Sequence, residues 1–385
     1  MLKRLGPLHP TKGPTMKRLL IASAVSAVFA APATVLAQAK PAPVPTLDKI
    51  LEASGISVSG YIDAGYTHSD RNQAVFSTRV FDTQNNSFGL NQFGLTVAKQ
   101  PKEGFGGLVN VTVGRDAQFI HSFPEAAPGS MFDVTQAFAQ YAGGPLTLIA
   151  GKFTTLHGTE VIASSGNTNV SRSILFGSVP FTHTGVRATW ALSDTVSLIA
   201  GVNNGWDQLT DANKGKTLEL GATLNPIKPL NITVSGYSGK EVVTPGAVAV
   251  PEGTRTSINA VASYTIIDPL SVGLEVLNVS QDNTVGGNAQ GKYNGVAGYV
   301  AYMITPKFRV AGRIESFDDK DGLRFGTANT KYKEVTLTGA FLASDSFEAR
   351  VEGRRDQATN AVFRDFSNAT SKTMTSVALQ GIYKF

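Results

Sequence analysis

The chain has 385 residues with no cysteine, 39 glycines and 18 prolines, and 34 Lys+Arg stand against 29 Asp+Glu. Lack of cysteine excludes a disulfide framework and thiolate metal sites. The basic excess gives no reason to expect nucleic acid as a partner: Lys3, Arg4, Lys12, Lys17 and Arg18 supply all of it, and without those five the remaining bases equal the 29 acids.

In chain order, residues 1–37 read as an N-terminal extension and a signal peptide. Met16-Lys17-Arg18 opens a positive segment, Leu19–Ala31 is a short apolar run, and Val35-Leu36-Ala37 offers small residues for cleavage after Ala37. That run is too short to span a bilayer as a helix, and translation is expected to start at Met16. Residues 38–55 read as a linker with three prolines, followed by Leu47, Ile50 and Leu51 at helical spacing before Gly55.

From Ile56 a regular beat begins, which predicts strands at 56–68, 87–99, 105–116, 132–142, 145–155, 181–192, 195–204, 215–224, 229–239, 255–266, 269–280, 292–304, 307–317, 332–343, 346–356 and 372–385. The connections alternate strictly. Short turns such as Ser193-Asp194, Ile267-Asp268 and Ser344-Asp345 exchange with long polar loops such as 69–86, 117–131 and 156–180. This is the pattern of an all-β, up-and-down antiparallel transmembrane barrel of about sixteen strands over 56–385. A chain of this kind is exported through the periplasm to a bacterial outer membrane.

Charge segregates by face. Phe308, Val310, Gly312 and Ile314 alternate with Arg309, Arg313 and Glu315; Phe347, Ala349, Val351 and Gly353 alternate with Glu348, Arg350, Glu352 and Arg354. Unpaired charge is too costly to bury, so the ionised face is expected to meet water in a wet lumen and the apolar face to meet lipid. The last strand ends on Tyr383 and Phe385. With Tyr141, Phe308 and Phe347 these form a candidate interfacial girdle, and Phe385 marks the strand that the barrel-assembly machinery would engage.

The longest loop, 156–180, contains the apolar clusters Val161-Ile162 and Ile174-Leu175-Phe176, so it is expected to fold against something. If it bends into the lumen it brings Glu160 and Arg172 towards Lys152 and Arg187. With the strand charges Arg309, Arg313, Glu315, Arg350 and Arg354 these are the candidate pore and constriction residues. A catalytic reading rests on His157 and His183 beside Ser164, Ser165, Ser171 and Ser173, a pairing with no visible third group. No metal-ligand spacing, phosphate-binding loop or nucleophile elbow occurs, so no cofactor is expected.

Several strings carry a resemblance. They include Gly60-Tyr61-Ile62-Asp63-Ala64-Gly65-Tyr66, Asn86-Ser87-Phe88-Gly89-Leu90-Asn91-Gln92, Asp133-Val134-Thr135-Gln136-Ala137-Phe138, Gly151-Lys152-Phe153 and Glu160-Val161-Ile162. Asn169-Val170-Ser171-Arg172-Ser173, Pro180-Phe181-Thr182-His183-Thr184-Gly185-Val186-Arg187 and Asn203-Asn204-Gly205-Trp206-Asp207 continue the series. The chain resembles the beta-barrel porins of Gram-negative outer membranes described as OmpL-like, from about Gly60 to Phe385. The resemblance implies a passive channel for small hydrophilic solutes or ions and brings no catalytic residues with it. Expected partners are the bilayer and its lipopolysaccharide, the solutes, and two further copies in a homotrimer. The rival readings are a non-conducting structural or adhesive barrel and, behind it, an outer-membrane hydrolase.

Overall fold

The computed structural model describes residues 46–72, 78–124, 129–213, 215–242, 252–284 and 289–385. The expected signal peptide and its cleavage site lie outside the described residues, as does most of the linker. The chain enters through a short helix, α1 (Leu47–Ser54), which ends where Gly55 turns left-handed (φ 68°) and donates its N–H to the carbonyls of Glu52 and Leu51. No described helix is long and apolar enough to cross a membrane.

Sixteen strands then form one closed ring. They are β1 (Ser57–Ser69), β2 (Ser87–Lys99), β3 (Gly104–Val113), β4 (Phe132–Gly143), β5 (Leu146–Thr154), β6 (Thr182–Ala191), β7 (Val196–Asn203) and β8 (Thr217–Ile227). The second half comprises β9 (Leu230–Val242), β10 (Glu252–Ile267), β11 (Leu270–Gln281), β12 (Gly291–Thr305), β13 (Phe308–Asp319), β14 (Thr330–Ser344), β15 (Phe347–Ala358) and β16 (Thr373–Lys384). Each pairs antiparallel with its sequence neighbours, and β16 returns to β1 with Tyr61 opposite Lys384 and Ser69 opposite Ser376. The C-terminal residue completes the seam, because Gly60 and Phe385 exchange two backbone hydrogen bonds of 2.9 Å. Closure leaves no unpaired sheet edge, which is what a strand needs in hydrocarbon.

The alternation of faces follows the sequence. On β14, Val335 and Leu337 are about 60% exposed on the outside, while Glu334, Thr336 and Thr338 are buried inside. Tyr141, Phe308, Phe347, Tyr383 and Phe385 all stand exposed on the outer surface near the short turns, as a girdle requires. The expectation of a wet lumen changes, however. Glu348, Arg350, Glu352 and Arg354 on β15 all point inwards, and all four are buried. They are covered by the long loop between β5 and β6.

Candidate functional site

That loop, residues 155–181, has almost no regular structure: two single 3-10 turns at Ser164–Gly166 and Phe176–Ser178. Its backbone donors and acceptors therefore need partners from elsewhere. The inward charges of the barrel supply them. Carboxylates take the N–H groups: Glu352 accepts from Val170 (2.6 Å) and Ser171 (2.9 Å), Glu315 from Ile174 (2.7 Å) and Leu175 (2.6 Å), and Glu275 from Thr159 (2.9 Å). Guanidinium groups give to the carbonyls: Arg313 to Ser171 (2.8 Å), Arg354 to Arg172 (2.5 Å), and Arg350 to Asn169 (3.2 Å). On β2, Gln92 gives to the carbonyl of Ile162 and accepts from the N–H of Ser164. The loop leaves β5 and is bonded in turn to β2, β11, β13, β14 and β15, so it crosses the interior of the ring.

Apolar contacts fix the same path. Ile174, Leu175 and Val179 join Leu277, Val279, Tyr293, Phe317, Tyr332 and Phe363 in one buried cluster. Ile162 and Phe176 join Val80, Phe81 and Ile120 in another. Two glycines make room for this packing. A Cβ on Gly295 of β12 would come within 2.7 Å of Leu175, and one on Gly177 within 2.4 Å of Val80. Gly185 and Gly201 lie against the backbone of neighbouring strands, where a Cβ would meet the Val202 and Val186 carbonyls respectively.

The candidate constriction residues divide into three groups. Glu160 meets Arg313 (2.7 Å) and accepts from the N–H of Ser173 (2.7 Å). From Arg313 an ion-pair chain continues through Glu334, Arg354 and Asp356 to Arg79 and Asp82. Arg350 and Glu315 bind the loop beside it, and Arg309 closes on Glu348 towards the short-turn end. Lys152 and Arg187 stand on another part of the wall with acids of their own, Asp133 (3.2 Å) and Glu219 (2.5 Å). Arg172 departs most from expectation. It is buried, and its guanidinium gives its hydrogen bonds to the loop's own carbonyls at Val161, Ile162 and Val170. It also lies against the rings of Phe81 and Phe176, so it pins the two arms of the loop together and faces no opening.

The first long loop also enters the interior, which the sequence reading missed. Thr78 and Arg79 bind Asp356 of β15, and Phe81 packs on Phe176 at 5.7 Å. In the otherwise polar string 69–86 the sequence signal for this is the pairs Val75-Phe76 and Val80-Phe81. The acids Glu219, Glu275, Glu334 and Asp356 were missed as well, and Glu352, expected on the lumen face, was not among the candidate constriction residues, although each sits at an inward-facing strand position.

Among the described residues neither candidate histidine hydrogen-bonds a serine of the loop. His157 is held between the hydroxyls of Ser235 (2.8 Å) and Ser257 (2.9 Å), and burial, with His183 close by, pushes its imidazole down to about 3. His183 bonds the Gly205 carbonyl and stacks on Tyr237 at 4.3 Å. Both carry structural contacts.

A closed ring of inward charge around an inserted loop has counterparts among known proteins. A family model described as "Putative beta-barrel porin-2, OmpL-like" matches residues 55–385. The chain belongs to this porin family. It is an outer-membrane channel, and its strands are the transmembrane wall. Solved structures carry the same architecture at low identity. The outer membrane channel DcaP of Acinetobacter baumannii is 14% identical with a TM-score of 0.59, over 86% of this porin and 97% of that chain. An anion-selective porin from Comamonas acidovorans is 11% identical with a TM-score of 0.59, over 86% and 99% respectively. OprB of Pseudomonas putida is 11% identical with a TM-score of 0.61, over 88% and 96%. At such identities the likeness concerns the fold. A comparison with curated proteins finds no match.

Proposed function

We propose that the loop at 155–181 is the constriction of a passive diffusion channel for small hydrophilic solutes or ions. The supporting observation is the bonding of this one loop to carboxylates and guanidinium groups on β11, β13 and β15, across the ring from its origin. On this reading Glu160, Glu315, Arg313, Arg350 and Arg354 hold the loop in place. Lys152 and Arg187 are neutralised wall positions, Arg309 is tied to Glu348, and Arg172 is internal to the loop. The aperture is then set by loop packing more than by a field between free charges, and ion selectivity is weak.

Purified protein in a planar bilayer tests this. Discrete conductance steps with a reversal potential near zero in a salt gradient are expected; absence of steps favours the non-conducting structural or adhesive barrel. The absence of catalysis is part of the proposal, supported by the buried, structurally engaged state of His157 and His183. A homotrimer is proposed too. OmpT of Vibrio cholerae, 11% identical with a TM-score of 0.54, has been solved in a trimer form, and native electrophoresis in mild detergent reads the state of this porin. Contact with lipopolysaccharide at the outer rim, and delivery by the barrel-assembly machinery through the strand ending at Phe385, complete the proposal.

A further inference from the structure

The ionised groups of the lumen are largely consumed in binding the loop, yet an internal compartment with an almost uncharged wall is left. It lies between the loop at 161–165 and the inner faces of β1 to β5, and its volume is about 430 Å³. This falls within the roughly 300–1,000 Å³ usual for small-molecule sites. Polar but uncharged side chains form its wall, chiefly Ser59, Thr96, Asn110, Gln136 and Ser165. Tyr61 adds aromatic surface, and Lys384 is an ionisable side chain at the rim.

The hydrogen-bond inventory leaves valences open here. Asn110 spends its amide N–H₂ on the Leu95 carbonyl and the Thr96 hydroxyl, and its carbonyl oxygen makes no protein hydrogen bond. Gln136 shows the reverse: its carbonyl accepts from the N–H and hydroxyl of Thr154, and its N–H₂ is unused. Among the described residues no hydrogen bond involves the hydroxyl of Ser59 or Ser165. Nearby charges are turned to other tasks. Asp133 pairs with Lys152, Asp63 accepts from Asn91 and Gln380, and Asp116 accepts from Gln92.

We infer that this compartment is a binding subsite for an uncharged polyhydroxylated solute, of the size and chemistry of a monosaccharide. Such a solute offers both donors and acceptors to the open amide and hydroxyl valences, and one of its C–H faces suits the ring of Tyr61. A carboxylate or phosphate would meet no matching cation in the depth of the site, and desolvating it there costs free energy that no partner returns. The inference rests on the channel reading above and adds the solute class.

The test uses D-glucose and D-glucuronate, two pyranoses that differ in charge, on the full-length porin. In proteoliposomes glucose should enter faster than glucuronate, and in planar bilayers glucose should reduce the ionic current in a saturable way. Asn110→Leu with Gln136→Leu should weaken that current block by roughly tenfold, the equivalent of one to two hydrogen bonds. Asn110→Asp, a near-isosteric change, should lower glucose entry and raise cation selectivity, which keeps the test open if the double variant does not fold. A conducting porin that passes both pyranoses equally, or whose block by glucose survives these substitutions, overturns the subsite and leaves the channel standing. A protein that neither conducts nor swells liposomes overturns both.

Discussion

Arg313 of β13 and Glu160 of the inserted loop meet at 2.7 Å although 153 residues separate them, and both are buried. Arg313 also holds Glu334 at 2.9 Å and the Ser171 carbonyl at 2.8 Å, so one guanidinium joins two barrel strands to both arms of the loop. Replacing it with Met strands two buried carboxylates, which costs about 3–5 kcal/mol for a broken buried pair. Arg313→Met is expected to melt at lower temperature in detergent and to give larger, noisier conductance steps as the loop comes free. Unchanged melting and unchanged steps would mean that the loop is held elsewhere.

Glu352 and Glu315 each accept two loop N–H groups. Replacing either carboxylate with an amide keeps the shape but removes the charge and one acceptor oxygen. Hydrogen bonds to charged groups contribute about 1.5–3 kcal/mol. Glu352→Gln should speed hydrogen exchange at Val170 and Ser171, and Glu315→Gln at Ile174 and Leu175, each leaving the other pair protected. Uniform exchange across the loop in both variants would show that it opens as one unit.

Acid should loosen the loop at His157. Docked, the imidazole is kept neutral by burial and titrates at about 3; undocked, it returns to about 6.5. Its contribution to docking is therefore complete above pH 6.5 and is lost as pH falls towards 3. Asp207 beside the loop works in the opposite sense. Its carboxyl is raised to about 6 by burial, so proton uptake there favours the docked state as pH drops. The difference between wild type and His157→Gln isolates the histidine: conductance should rise more steeply on acidification from pH 7 to 4 in the wild type. Parallel pH profiles would exclude His157 as the sensitive group.

Leu175 is fully buried among Leu277, Phe317 and Tyr293. Leu175→Ala removes that packing at a cost of about 2–5 kcal/mol, and a shortfall in melting temperature together with increased current noise is expected.

Leu337, at the middle of β14, is 62% exposed on the outer face. If that face meets hydrocarbon, Leu337→Lys should reduce the free energy of folding into lipid vesicles by about 2–4 kcal/mol, the cost of a lysine near the bilayer midplane. An effect below a few tenths would mean the position faces a partner or solvent.

The ring was legible because its two solvents imprint a period of two on every strand: Phe347 to Arg354 states it in eight residues, and observed strand ends differ from the expected ones by a few positions. That the loop folds against something was legible from Ile174-Leu175-Phe176, an apolar run that a solvent-exposed loop has no use for, whereas the surface it meets was not. Nor was the fate of the lumen charges. Alternating Glu and Arg on one face is equally compatible with a hydrated wall and with a wall that satisfies a foreign backbone, and only the position of the loop distinguishes them. Arg172 illustrates the same limit. Its partners are main-chain carbonyls 2 to 11 positions away, and carbonyls leave no trace in side-chain pattern.

The anchors of the inserted loop also constrain the order of assembly. The loop follows the fifth strand, but Glu315, Arg313, Glu352 and Arg354 belong to strands made near the end of synthesis. Until those C-terminal strands are seated the segment lacks these partners and has only anchors such as Gln92 of β2 and Glu275 of β11, so the fully narrowed bore belongs to the completed ring.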